Sequence, residues 1–233
     1  MNMPMKNKRW LIALAFITGL ALCLALLLGA IQVVAFDRGH YQREYEALGV
    51  AEEIGISEAD LMRATETLLD YCRGRRADLD CSVTVNGQEQ NAYNEREIAH
   101  MADVQKLFSL TKNVCNALLL VAFIGILIAL KKADYRFGKG MFFGLLAGLG
   151  FLGIIGAMVV IDFGWFWTTF HETLFSNDLW LLDPATDMLI QMVPEAFFYH
   201  TCMRILGLFA LSWAALAALC GWIWHRGKKA VSD

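Results

Sequence analysis

The chain has 233 residues, 57% of them hydrophobic, and a mean hydropathy of +0.45, which reads as a polytopic membrane protein with one modest extramembrane region. The residues left over leave no room for a second globular domain. A net charge of −3 offers no basic footprint for nucleic acid.

The first apolar run, residues 11–36, carries no charge along 26 residues. That exceeds the roughly 20 needed to cross a hydrocarbon core and is too long for the apolar stretch of a signal peptide, so it reads as an uncleaved signal anchor. A polar stretch over residues 37–53 follows. Ser57, with Asp60 three residues on, then caps a helix whose apolar stripe is Leu61, Ala64, Leu68 and Leu69. Val85-Asn86-Gly87-Gln88 is a two-residue hairpin signal, because a type I′ turn needs positive φ at both central positions; an isolated hairpin must pack on something. Asn94 with Glu97 has capping-box spacing and places His100 in the second turn of a helix, on a face with Glu97, Asp103, Val104 and Leu107 and beside a stripe of Ile98, Met101, Val104 and Phe108. A straight continuation into the next apolar run would leave His100 fourteen residues above Val114, roughly 21 Å at 1.5 Å per residue. A bend is therefore expected near residues 109–112, with the apolar stripe lying on the membrane interface.

Further apolar runs cover residues 114–130, 141–161 and 205–224, giving four spans within a single membrane domain over residues 1–233. The third is rich in glycine at 144, 148, 150, 153 and 156, which permits close helix approach; a groove for acyl chains is the alternative. Beyond it Phe163, Trp165, Phe166, Trp167, Phe170, Phe175 and Trp180 form an aromatic cluster suited to headgroup level. Thr169-Phe-His-Glu172 again has capping-box spacing and would set His171 in the first turn of a short helix, whose positive end disfavours imidazolium. Asp183-Pro184 is expected to begin another short helix, and Val193-Pro194-Glu195 the last long one.

Basic residues fix the orientation. Lys6, Lys8 and Arg9 precede the first span, Lys131, Lys132, Arg136 and Lys139 separate the second from the third, and Arg226, Lys228 and Lys229 follow the fourth. All three clusters mark the cytoplasmic side, so both termini are cytoplasmic and residues 37–113 and 162–204 are extracellular. The resulting fold class is an all-α polytopic membrane protein with four transmembrane helices and a small, mostly helical extracellular region containing one β-hairpin.

Cys72 and Cys81 share the oxidising side across a closable eight-residue loop and are expected to form a disulfide; two free thiols are the alternative. Cys23, Cys115, Cys202 and Cys220 read as small apolar filler, and the lack of a Cys-x-x-Cys pair speaks against a thiol oxidoreductase.

His100 and His171 both flank spans on the outer side, beside acids and amphipathic helix, where imidazole can move protons near neutral pH. His40, His200 and His225 read as structural. Asp103 and Glu172 are candidates to orient a histidine. Arg204 reads as a boundary charge that snorkels, with a hold on an anionic lipid or carboxylate as the alternative, and Asp162 divides likewise between a boundary charge and a functional one. There is no Gly-x-Ser-x-Gly elbow, His-Glu-x-x-His helix or Gly-Lys-Ser/Thr phosphate loop. A zinc site from His100, Asp103, His171 and Glu172 would make the chain a membrane hydrolase, and a non-catalytic scaffold is the third reading.

Glu-x-x-His-Met-x-Asp-Val at residues 97–104 and Phe-His-Glu-x-Leu-Phe-x-Asn-Asp-x-Trp at residues 170–180, followed by Asp183-Pro and Pro194-Glu-x-Phe-Phe, resemble the bacterial lipoprotein intramolecular transacylase family (Lit). The resemblance spans nearly the whole chain, including the four-span layout. It implies a bacterial cytoplasmic-membrane enzyme that needs no cofactor. Such an enzyme moves an acyl chain from the sn-2 position of the diacylglyceryl-cysteine of a lipoprotein to that cysteine's α-amino group, giving the lyso-form. Membrane lipid and diacylglyceryl lipoproteins are then its partners. The two catalytic histidines of the family carry over to His100 and His171. On this reading His171 is the main proton shuttle and His100 orients it or stabilises the oxyanion, with the roles open to exchange. Asn177, Asp178 and Trp180 are further candidate contacts for the substrate headgroup.

Overall fold

The computed structural model describes residues 9–132 and 136–232; Lys6 and Lys8, and the side chains of Lys132 and Lys229, lie outside the described residues. The elements in order are α1 (Arg9–Ala35), α2 (Arg38–Leu48), α3 (Val50–Ile54), α4 (Glu58–Cys72), β1 (Ser82–Val85), β2 (Gln88–Asn91), α5 (Glu95–Lys132), α6 (Arg136–Ile161), α7 (Phe163–Leu174), α8 (Met188–Met192) and α9 (Glu195–Ser232). Among the described residues four helices, α1, α5, α6 and α9, are long and apolar enough to cross a membrane. The chain divides into two compact units, one of residues 1–31, 112–160 and 205–233, the other of residues 32–111 and 161–204.

The first unit holds the apolar lengths of those four helices. Large side chains such as Leu130 (73% exposed) and Leu211 (75%) remain on its surface, the pattern of a protein whose solvent is hydrocarbon. Contact between α1 and α6 rests on small residues at four-residue spacing. A Cβ on Gly140 would meet Ala15 Cβ at 2.6 Å, one on Gly148 would meet Cys23 Sγ at 2.6 Å, and one on Gly144 would collide with the Phe16 carbonyl. Gly144 and Gly148 thus serve packing, whereas Gly150 and Gly153 have nothing within 4 Å of such a Cβ. Gly144→Ala is expected to destabilise the protein in detergent by about 1–3 kcal/mol, because backbone cannot yield as a side chain can, while Gly150→Ala leaves the melting temperature unchanged or slightly raised.

The second unit has its own core, built from α2, α3, α4, β1, the start of α5, α8 and the start of α9. Residues 37–53, read as polar chain, form α2 and α3. Asp37 caps α2 by accepting from Gly39 N at 3.0 Å, Gly49 ends it at φ 66°, and its buried face is His40, Tyr41 and Tyr45. Ser57 caps α4 through Asp60 N (3.1 Å), and the expected stripe of Leu61, Ala64, Leu68 and Leu69 is buried. Asn86 (φ 50°) and Gly87 (φ 83°) turn the hairpin. It packs through an Ile56–Val85 bridge and through Thr84 N donating to Asp60 Oδ2 at 3.1 Å.

Cys72 and Cys81, expected as a disulfide, are separate buried thiols of this core. Burial pushes the Cys72 thiol up to about 12, which suppresses the thiolate that disulfide exchange requires. Through residues 109–112, where a bend is expected, α5 is one continuous helix of 38 residues. The stripe that was to lie on lipid is spent within the second unit, where Met101 is a core residue and Val104 and Phe108 pack against that core. Ile98 alone of the stripe remains exposed.

Candidate active site

His100 comes from α5 and His171 from α7, and the second unit contains both, with the other candidate site residues. The N-terminus of α5 is a reciprocal capping box. Asn94 Oδ1 accepts from Glu97 N at 3.0 Å, and Glu97 Oε2 accepts from Asn94 N at 2.7 Å. One turn on, His100 points inward, 7% exposed. Helix α7 starts at Phe163 with Asp162 as its cap, accepting from Trp165 N at 2.9 Å. This overturns the expected start at Thr169 and places His171 in the last turn rather than the first. The helix end there favours imidazolium, the reverse of the effect expected. Asp183-Pro184 likewise opens a turn rather than a helix, with α8 beginning five residues later at Met188.

The two imidazole rings face one another with centroids 6.3 Å apart. Phe175 lies against both, 5.4 Å from His100 and 5.7 Å from His171. Trp180 stacks on His171 at 4.9 Å, and Trp167 meets it edge-on at 4.6 Å. Burial holds the His171 imidazole below its ordinary value, and the bond to the Trp167 carbonyl opposes this only in part. Burial, aided by the neighbouring His171, pushes His100 down to about 4, with Asp103 pulling the other way. Both are therefore neutral at pH 7, by burial and not by a helix dipole.

The hydrogen bonds assign one tautomer. His171 Nδ1 lies 2.8 Å from Trp167 O. A carbonyl can only accept, so Nδ1 carries the proton and Nε2 carries the lone pair of a base. His100 Nδ1 is buried without a partner among the described residues, an arrangement that a ligand bringing a donor or an acceptor would relieve.

Around the pair, Asp103 Oδ2 accepts from Asn177 Nδ2 at 2.9 Å and Asp103 Oδ1 from Lys106 Nζ at 3.0 Å. Arg96 donates to the Asp178 carbonyl. Glu172 is exposed, with no hydrogen bond or ion pair among the described residues, and does not orient either ring. Arg204 pairs with Asp37 at 2.6 Å. His40 is buried and bonds Thr201 (2.8 Å), and the exposed His200 pairs with Glu44 (2.6 Å). Among the described residues no three His, Cys, Asp or Glu side chains come together so as to hold a metal ion, which removes the four-ligand zinc site. A cavity of about 400 Å³ lined by Arg63, Arg76, Cys81 and Glu89 among others includes neither catalytic candidate. Its arginines already bond Asp60, Ser82 O and Asp78. Arg96 and Asp187 were not anticipated, whereas Trp167 and Phe175 belong to the expected aromatic cluster; Trp167 and Arg96 each stand one helical turn before a histidine, the local signal by which sequence could have found them.

The profile of the family described as Lipoprotein intramolecular transacylase Lit matches residues 16–198. Three solved structures of the membrane integral lipoprotein intramolecular transacylase Lit from Bacillus cereus share the fold. One superposes with a TM-score of 0.74 at 21% identity, covering 94% of this chain and 96% of that one. A histidine-to-arginine variant gives 0.78 at 21% identity over 97% and 96%, and a histidine-to-alanine variant 0.77 at 19% over 96% and 97%. A search of curated protein sequences finds no match.

Proposed function

Because this chain belongs to the lipoprotein intramolecular transacylase family, we propose that it transfers an acyl chain within a diacylglyceryl-cysteine lipoprotein, from the glyceryl sn-2 oxygen to the cysteine's α-amino nitrogen. The observation that carries the assignment of residues is the facing pair of buried, neutral imidazoles, one with a free Nε2. Once the α-amino group, whose ordinary pKa is near 8, has lost its ammonium proton to solvent, His171 Nε2 takes one of the remaining N–H protons as the nitrogen attacks the ester carbonyl carbon. The tetrahedral intermediate then breaks its bond to the glyceryl oxygen, and the same proton passes from His171 to that oxygen. An amide and a glyceryl hydroxyl result, with no enzyme-bound acyl group. His100, whose Nδ1 lacks a partner, donates to the carbonyl oxygen as negative charge builds there. Nucleophile and ester belong to one molecule, so holding them in attack geometry supplies several kcal/mol of barrier reduction.

The reaction faces the extracytoplasmic side in this reading, supported by the basic clusters around Lys131, Lys139, Arg226 and Lys228 and by the excess of acids among residues 37–112. Mass spectrometry of lipoprotein N-termini from a host making only diacylated lipoproteins tests it. Expression of this chain is expected to convert the diacylglyceryl form to an isomer of equal mass whose N-terminus is acylated. Persistence of the diacylglyceryl form despite expression rejects the assignment.

A further inference from the structure

Glu97 is 1% exposed, and a carboxylate so placed costs several kcal/mol unless it is fully bonded. Both of its oxygens are bonded to backbone: Oε2 accepts from Asn94 N at 2.7 Å, and Oε1 accepts from Leu189 N at 2.5 Å, 92 residues along the chain. Leu189 N is one of the orphan donors in the first turn of α8. The residue at that helix's own cap position, Asp187, gives it no side-chain bond. Asp187 is turned elsewhere, Oδ1 accepting from Asn94 Nδ2 and Oδ2 from Asp183 N, each at 2.8 Å. One carboxylate on α5 thus caps both its own helix and α8, and a second, beside α8, holds the cap residue of α5.

This cross-cap ties one end of the segment 177–189 to the start of α5. The other end is tied to the same helix through Arg96 to the Asp178 carbonyl and Asn177 to Asp103. His100 lies between the tied positions, and Trp180, whose ring covers His171, lies between the ties of the segment. We propose that Glu97 is a positioning residue for the histidine pair: it straps the segment carrying Trp180 to the helical turn carrying His100, so that the two rings keep their spacing and stay shielded from water. This rests on the acyl-transfer reading above and names a residue that acts without touching substrate. Hydrocarbon at position 97 would fill the space but would leave the backbone N–H groups of Asn94 and Leu189 unpaired. Glutamine offers one acceptor, and its amide N–H₂ would confront the second backbone donor.

Glu97→Gln in the full-length protein in lipid nanodiscs, assayed on a synthetic diacylglyceryl lipopeptide, tests the strap. The expected result is a kcat lower by about 10- to 100-fold, since sub-ångström misplacement of reacting groups is amplified in rate, with KM changed less than about twofold. Water entering beside His171 should also move the acid limb of kcat upward, toward the ordinary imidazole value. Amide hydrogen exchange over residues 177–193 should rise while that of residues 61–72 in α4 stays as in wild type. Asp187→Asn, which weakens the strap from its other side, is expected to show the same changes and decides the matter if Glu97→Gln fails to accumulate. A kcat within about twofold of wild type, or a reduced kcat with an unmoved acid limb, overturns the proposal. If wild type converts no lipopeptide, the acyl-transfer reading fails instead. The exchange measurement still decides whether Glu97 holds the strap, and unchanged exchange over residues 177–193 overturns it.

Discussion

Replacing His171 with Ala or Asn is expected to lower turnover of a diacylglyceryl lipopeptide by about 10²–10⁴-fold while leaving membrane abundance normal. The size follows from what the ring does twice in one cycle, accepting a proton from the attacking nitrogen and returning it to the glyceryl oxygen. Each tenfold loss corresponds to about 1.4 kcal/mol of barrier. The ring's Nδ1 is held by the Trp167 carbonyl, which leaves Nε2 as the working atom. His171→Asn is the sharper variant, because its amide can still donate to that carbonyl but supplies no base. His171 also packs against Trp167, Phe170, Phe175 and Trp180, so some loss of thermal stability accompanies either substitution. Expression level and melting temperature measured beside activity separate that loss from the chemical one. An asparagine variant that folds and turns over at the wild-type rate would leave a non-catalytic scaffold as the better account.

What was legible in the sequence was local. Ser57 and Asn94 cap helices as their spacing demands, and Asn86-Gly87 makes the hairpin, because capping and positive φ are decided by a few neighbouring residues. The same locality misled at α7. Thr169-Phe-His-Glu172 fits a helix start as well as Asp162 does, and the aromatic run between them decides for Asp162 by continuing the helix. The face of α2 was hidden because His40, Tyr41 and Tyr45 count as polar by type although they bury like apolar residues. The bond between Glu97 and Leu189 had no local signature at all. Desolvation, and not the helix N-terminus expected, is what lowers the His171 imidazole, and it does so against an opposing helix end. The convergence of His100 and His171, 71 positions apart, followed from family resemblance and not from spacing.

His100→Leu is expected to abolish most turnover, by about 10²–10³-fold, as removal of one oxyanion donor does, and at the same time to make the protein less sensitive to acid. The second effect follows by linkage. Burial holds the folded-state imidazole down at about 4, whereas the unfolded chain titrates near 6.5. Below pH 6.5 the unfolded state therefore binds the proton first, and stability that is complete above that pH is lost as the pH falls toward 4. The loss levels off once both states are protonated. Its size is on the order of 3 kcal/mol, or roughly 6–12 °C in melting temperature for a chain of this length. His40 and His171, also depressed by burial, add to the loss. Glu97, raised by burial, opposes it, because its folded state takes up a proton more readily than the unfolded chain. Asp103 and Asp187, held low by their bonds, begin to contribute only at lower pH. Comparing wild type with His100→Leu between pH 7 and pH 4 cancels those shared contributions and isolates the single ring. If the two melting curves fall in parallel across that range, His100 is not held neutral by the fold, and its role as a buried hydrogen-bond donor to the carbonyl oxygen must be given up.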